Sequence, residues 1–131
     1  MQSAKPRVLV VEDDDATRLA LTVALREDAE VTGAIDVAQG VRFVATTRPD
    51  VIVLDLFLDA PGAEPNGHEI LDRLRVRGMP VPPVIVVSGW PGGAEIAQRI
   101  GAAAYYRKLI DISVLAAKVR QLAAAGRGLP A

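Results

Sequence analysis

Polar side chains of complementary chemistry stand at the ends of three apolar runs and one short mixed segment. Asp55 follows Val51-Ile52-Val53-Leu54, and Glu12 and Asp13 follow Val8-Leu9-Val10-Val11. Ser88 follows Val84-Ile85-Val86-Val87, and Lys108 follows the segment Ala104 to Arg107. Two carboxylates about 4 Å apart repel by about 1 kcal/mol in water and by more near a protein surface, so three together need a counterion. Hard carboxylate oxygens without soft ligands favour Mg²⁺ or Mn²⁺. A carboxylate flanked by a divalent cation and an ammonium can accept a phosphoryl group, with a hydroxyl donating to one of its oxygens. The cluster alone therefore suggests phosphoryl transfer to Asp55.

That chemistry requires the four segments to end along one edge. Val8–Val11, Val51–Leu54 and Val84–Val87 are short continuous apolar runs between turn signals, as expected of strands buried on both faces. A weaker strand at 31–34, interrupted by Gly33, suits a sheet edge, and 104–107 makes a fifth. Helices are predicted at about 16–28, 37–46, 67–77, 94–100 and 111–125. Asp14 or Asp15 is expected to cap the first and Asn66 the third. In the first helix Thr17, Ala20, Leu21, Ala24 and Leu25 form one stripe, with Leu19 and Val23 off it; Ile112, Leu115, Val119 and Leu122 line the last. The segment after Asp55 reads as a long polar loop to Asn66. Strand alternating with helix gives a parallel sheet covered on both faces, with ligands at the carboxyl ends of the strands.

Composition narrows the function classes. The chain has 131 residues, half of them apolar, with a net charge of −1, as for one soluble domain. Few aromatics and near-neutral charge argue against general nucleic-acid binding. There is no cysteine and one histidine, His68, which excludes disulfides, thiol catalysis and multi-His zinc sites. His68 itself reads as a surface residue. Neither a leader-type apolar segment nor a run approaching a membrane span occurs, so the expected location is the cytoplasm.

Five segments, VLVVEDDDATR, RPDVIVLDL, NGHEIL, VIVVSGW and GAAAYYRK, in that order and at near-family spacing, resemble the receiver domain of bacterial two-component response regulators. The resemblance covers residues 6–125 and leaves 126–131 as a tail or the start of a linker. It implies a flavodoxin-like (CheY-like) doubly wound five-stranded sheet of order 2-1-3-4-5 with five helices. It also implies that Asp55 is the phosphoacceptor for a sensor histidine kinase or phosphotransfer protein. Asp13 would bind Mg²⁺ directly, Glu12 through water, and Phe57 through its backbone carbonyl. Ser88 matches the switch hydroxyl, Tyr105 the aromatic that turns inward behind it, and Lys108 the lysine that pairs with Asp55. A downstream protein effector would read the surface of the fourth helix, fifth strand and fifth helix. Such a domain catalyses only its own phosphorylation and dephosphorylation.

The chain departs from that pattern in places. Leu109 stands where the family has proline, which leaves the cis or trans state of the Lys108–Leu109 bond open. The loop after Asp55 is longer, and the fourth helix is shorter and follows Pro91-Gly92-Gly93. Phe57 and Trp90 occupy the two positions that tune access of water to the acyl phosphate, and bulky apolar groups there imply slow self-dephosphorylation. Arg73, Arg75 and Arg77 suit the C-terminal end of a helix. Leu19 and Val23 are either ordinary exposed residues or part of a kinase-docking face, and Ala116 and Ala117 give the last helix an outer face with little charge. Two other readings compete: an unphosphorylated pseudo-receiver, and a phosphatase of the haloacid dehalogenase type. The latter needs a second Asp where Phe57 stands.

Overall fold

The computed structural model describes residues 5–58, 65–108 and 111–126. Ten elements alternate along the chain: β1 Arg7–Val11, α1 Asp15–Leu25, β2 Glu30–Ala34, α2 Val37–Thr47, β3 Val51–Leu54, α3 Glu69–Val76, β4 Val84–Ser88, α4 Gly93–Arg99, β5 Ala104–Arg107 and α5 Ile112–Gly126. The strands form one parallel sheet in the order β2-β1-β3-β4-β5. The interrupted strand β2 is indeed at an edge.

Alternation along each strand builds two cores. Leu9, Val11, Ile52, Leu54, Val84 and Val86 face one side and pack with α2, α3 and α4. Val8, Val10, Val51, Val53, Ile85 and Val87 face the other and pack with α1 and α5. β1, β3 and β4 are therefore apolar on both faces, which is why they read as unbroken runs.

Register fixes the site. Val11 pairs with Leu54, and Leu54 with Val86, so the next residues, Glu12, Asp55 and Val87, emerge side by side. The Asp55 N–H donates to the Val11 carbonyl at 3.0 Å, and the Glu12 N–H to that of Ala34 at 2.9 Å.

Several local expectations change. Asp14, rather than Asp15, caps α1, its carboxylate accepting from the Thr17 N–H at 2.8 Å, and the helix ends at Leu25, before the charged Arg26-Glu27-Asp28 segment. Ala20 is exposed, while Leu21 and Leu25 carry the burial. α3 starts two residues later than predicted, at Glu69, because Asn66 does not cap it. The Asn66 side chain instead reaches back to Leu58, accepting from its N–H and donating to its carbonyl, both at 2.7 Å. Leu56 and Leu58 are buried, so the segment after Asp55 opens as a packed hook rather than a polar loop. Ala116 is buried against the sheet with Leu115 and Val119, not on the outer face of α5. His68 is half-buried, and its Nδ1 is buried without a hydrogen-bond partner. The Lys108–Leu109 bond lies outside the described residues.

Candidate functional site

The acidic pair and Asp55 meet where β1 and β3 end. One carboxylate oxygen from each of Glu12, Asp13 and Asp55 lies within 4.8 Å of the other two. Glu12 and Asp55 are buried; Asp13 is exposed. Lys108 arrives from the end of β5, and its Nζ lies 2.9 Å from Glu12 Oε1 and 3.0 Å from Asp55 Oδ2. A single ammonium thus bridges two buried carboxylates. The Phe57 N–H donates to Asp55 Oδ1 and the Asp14 N–H to Glu12 Oε2, each at 3.2 Å.

The electrostatics follow from this crowding. Burial, with the neighbouring Asp55 charge, pushes the Glu12 carboxyl up to about 7, although the Lys108 hydrogen bond opposes the shift. For Lys108, burial works against the charge, yet hydrogen bonds to Glu12 and Asp55 outweigh it and hold the ammonium above its usual value. Burial sets the direction at Glu12, and hydrogen bonds to the carboxylates set it at Lys108. Three carboxylate oxygens at this spacing, without soft ligands, suit a hard divalent cation that keeps some of its water.

Around the acids lies an open cleft of about 380 Å³, lined by Asp13, Asp55, Phe57, Gly89, Trp90 and Lys108. The Phe57 and Trp90 rings meet there edge to face. Ser88 is fully buried at the end of β4, where its Oγ accepts from the Trp90 N–H at 3.0 Å and its carbonyl from the Lys108 N–H at 2.9 Å. Tyr105 packs inward: its ring and hydroxyl stand against Gly93, next to the Ser88 Cβ. The structure thus gathers Asp13, Asp55, Phe57, Trp90 and Lys108 on the cleft, with Glu12 buried against Lys108 and with Ser88 and Tyr105 behind.

Two features were not foreseen. Gly67 has no room for a side chain, since a Cβ there would lie 2.1 Å from the Asp55 carbonyl oxygen. The start of α3 therefore sits directly on the backbone of Asp55, and only the Asn-Gly pair in the sequence hinted at this turn. Arg18 donates to the Glu12 carbonyl at 2.9 Å; its place one helical turn after Asp14 was the available signal.

Comparisons with known proteins agree with this geometry. Residues 8–120 match the family model described as the response regulator receiver domain. The transcriptional regulatory protein AfsQ1 of Streptomyces coelicolor is 33% identical over 118 residues, which cover 88% of this chain and 50% of that protein. A protein-glutamate methylesterase/protein-glutamine glutaminase of Anaeromyxobacter dehalogenans is 40% identical over 94 residues, or 70% of this chain and 25% of that protein. The chain thus spans half the length of the first relative and a quarter of the second. Among solved structures, the CheY-like receiver domain protein of Methanospirillum hungatei superposes with a TM-score of 0.78 at 25% identity, covering 95% of this chain and 98% of its own. No helix among the described residues is long and apolar enough to cross a membrane. The ordered strands, the convergent acids with their lysine, and the match over most of the chain together make it a member of the response regulator receiver domain family of two-component systems.

Proposed function

We propose that residues 6–125 are a phosphorylation-switched receiver unit, with 126–131 a tail or the start of a linker, and that Asp55 is its phosphoacceptor. The observation that carries this reading is the convergence of Glu12, Asp13 and Asp55 around the Lys108 ammonium. In the reaction, an Asp55 oxygen forms a bond to phosphorus while the bond from phosphorus to a histidine nitrogen of the donor breaks; the electron pair stays with the imidazole, which takes up a proton. Asp13 and Asp55, the Phe57 carbonyl, and Glu12 through water would hold Mg²⁺ or Mn²⁺. When bound, the cation neutralises charge on the transferring oxygens. The Lys108 ammonium would stabilise the same oxygens.

The product adds close to two negative charges and three acceptor oxygens. Ser88 Oγ, now engaged by the Trp90 N–H, turns to one of those oxygens. Tyr105, already inward, fills the space behind it, and this arrangement is favoured over the unphosphorylated one. The surface of α4, β5 and α5 then presents a different face to a protein effector. A sensor histidine kinase or phosphotransfer protein is the proposed donor and the cytoplasm the proposed location. An apolar groove of about 320 Å³ between α1 and α5, lined by Ala20, Leu21 and Ile112 and ending at Lys108, supports approach of such a donor. Leu19 and Val23, off the buried stripe of α1, are exposed as well.

Incubation with a small phosphodonor and Mg²⁺ tests the reading. A mass gain of one phosphoryl group, lost in Asp55→Asn and on removal of the metal with EDTA, is expected. Absence of any gain would favour the pseudo-receiver reading instead.

A further inference from the structure

Arg18 stands outside the carboxylate cluster, yet it grips the peptide from which the acidic pair hangs. Its Nη1 donates to the Glu12 carbonyl at 2.9 Å. The Glu12 N–H is held from the other side by the Ala34 carbonyl at 2.9 Å, so both backbone groups of Glu12 are fixed. Nη2 of the same guanidinium donates to Asp15 Oδ1 at 2.6 Å, which ties the start of α1 to the end of β1. The aliphatic stem lies over β2 at Gly33, where an added Cβ would stand 3.0 Å from Arg18 Cδ. The residue thus links β1, α1 and β2 around one turn, with its planar fork fixing two acceptors at once.

We propose that Arg18 is a positioning residue for divalent-cation binding at Glu12, Asp13 and Asp55, acting through the Glu12–Asp13 peptide. The inference rests on the metal reading above and adds the residue that sets the ligand geometry. Hydrogen bonds that orient metal ligands from outside commonly change affinity by about ten- to a hundredfold. Positioning and simple charge predict opposite signs. A guanidinium near a cation repels it, so charge alone makes removal of Arg18 tighten binding; loss of positioning weakens it.

The test is a MgCl₂ titration of the 131-residue chain, followed by the backbone amide resonances of residues 12–18. Arg18→Met keeps the stem over Gly33 and removes the guanidinium, and about tenfold weaker Mg²⁺ binding is expected. Binding as tight as in the unaltered chain, or tighter, overturns the proposal. Should Arg18→Met fail to fold, Arg18→Lys, which keeps charge and stem without the fork, decides on the same criterion. Thermal melts in EDTA report the structural contribution separately, since a merely structural role lowers the melting temperature without moving the Mg²⁺ midpoint. Asp13→Asn separates the two levels of the argument. If it retains the unaltered chain's response, or the unaltered chain shows none, the metal reading itself falls. If Asp13→Asn abolishes the response and Arg18→Met leaves it unchanged, only the role of Arg18 falls.

Discussion

The rings of Phe57 and Trp90 meet edge to face, with centroids 5.5 Å apart and planes inclined at 64°. They do so on the lining of the cleft that holds Asp55. Apolar rings cannot orient an attacking water, and under the proposed function they would limit its access to an acyl phosphate on Asp55. Replacing both by polar groups, Phe57→Asn with Trp90→Glu, is expected to shorten the lifetime of phosphorylated Asp55 by about tenfold, equivalent to about 1.4 kcal/mol of barrier. Release of inorganic phosphate from the isolated phosphoprotein measures it, and an unchanged rate would refute the role of the ring pair.

Glu12 gives the metal-free protein a pH dependence of definite sign. Its folded value of about 7 lies above the ordinary carboxyl value of 4.5, so the folded state holds the proton more tightly than the unfolded chain. The associated stability is fully present below about pH 4.5 and is lost as pH rises through about 7. In EDTA, denaturant melts at pH 6 and pH 8 are expected to show the lower midpoint at pH 8. Glu12→Gln should flatten that difference. Adding Mg²⁺ at pH 8 should restore stability in the unaltered chain, since binding to the folded state alone favours it.

Gly67→Ala tests the contact between the turn into α3 and the backbone of Asp55 at the end of β3. The new methyl would meet the Asp55 carbonyl oxygen at 2.1 Å, and neither partner is a flexible side chain. A loss of about 3 kcal/mol is expected, at the upper end of ordinary overpacking. Chemical denaturation measures it, and a chain as stable as the original would contradict the contact.

Gly93→Ala probes the space behind Ser88. The added Cβ would stand 3.0 Å from Tyr105 Cε1 and 3.1 Å from both the Tyr105 hydroxyl and Ser88 Cβ. The Ser88 side is the end of a buried strand, so the tyrosine must yield. Outward displacement of Tyr105 without phosphorylation is expected, seen as a change in its ring resonances.

The convergence of the candidate site was legible because Glu12, Asp55 and Ser88 each end a continuous apolar run and Lys108 ends a shorter mixed strand. Asp55, Glu12, Asp13, Ser88 and Lys108 all emerge at the same edge, and parallel register aligns strand ends without further information. What stayed hidden depended on side chains acting across long separations. Asn66 is an apt helix cap by type, but its amide pairs with Leu58, eight residues earlier. Leu56 and Leu58 looked like part of a polar loop because no periodicity marks two leucines flanking a phenylalanine. Nothing in the pattern of the first helix singles out Arg18; its placement depends on Gly33 on a neighbouring strand, which leaves space for its stem. Ala116 is small enough to suit either face of α5, so its burial could not be read from hydrophobicity.

The Asn66 amide mimics one rung of a β-ladder, donating to and accepting from the backbone of Leu58 at equal 2.7 Å spacings. That rung pins Asn66 to Leu58 and so fastens the two described ends of the segment after Asp55 to one another. The entropic penalty of closing a segment between two ends pinned in this way grows only logarithmically with its length.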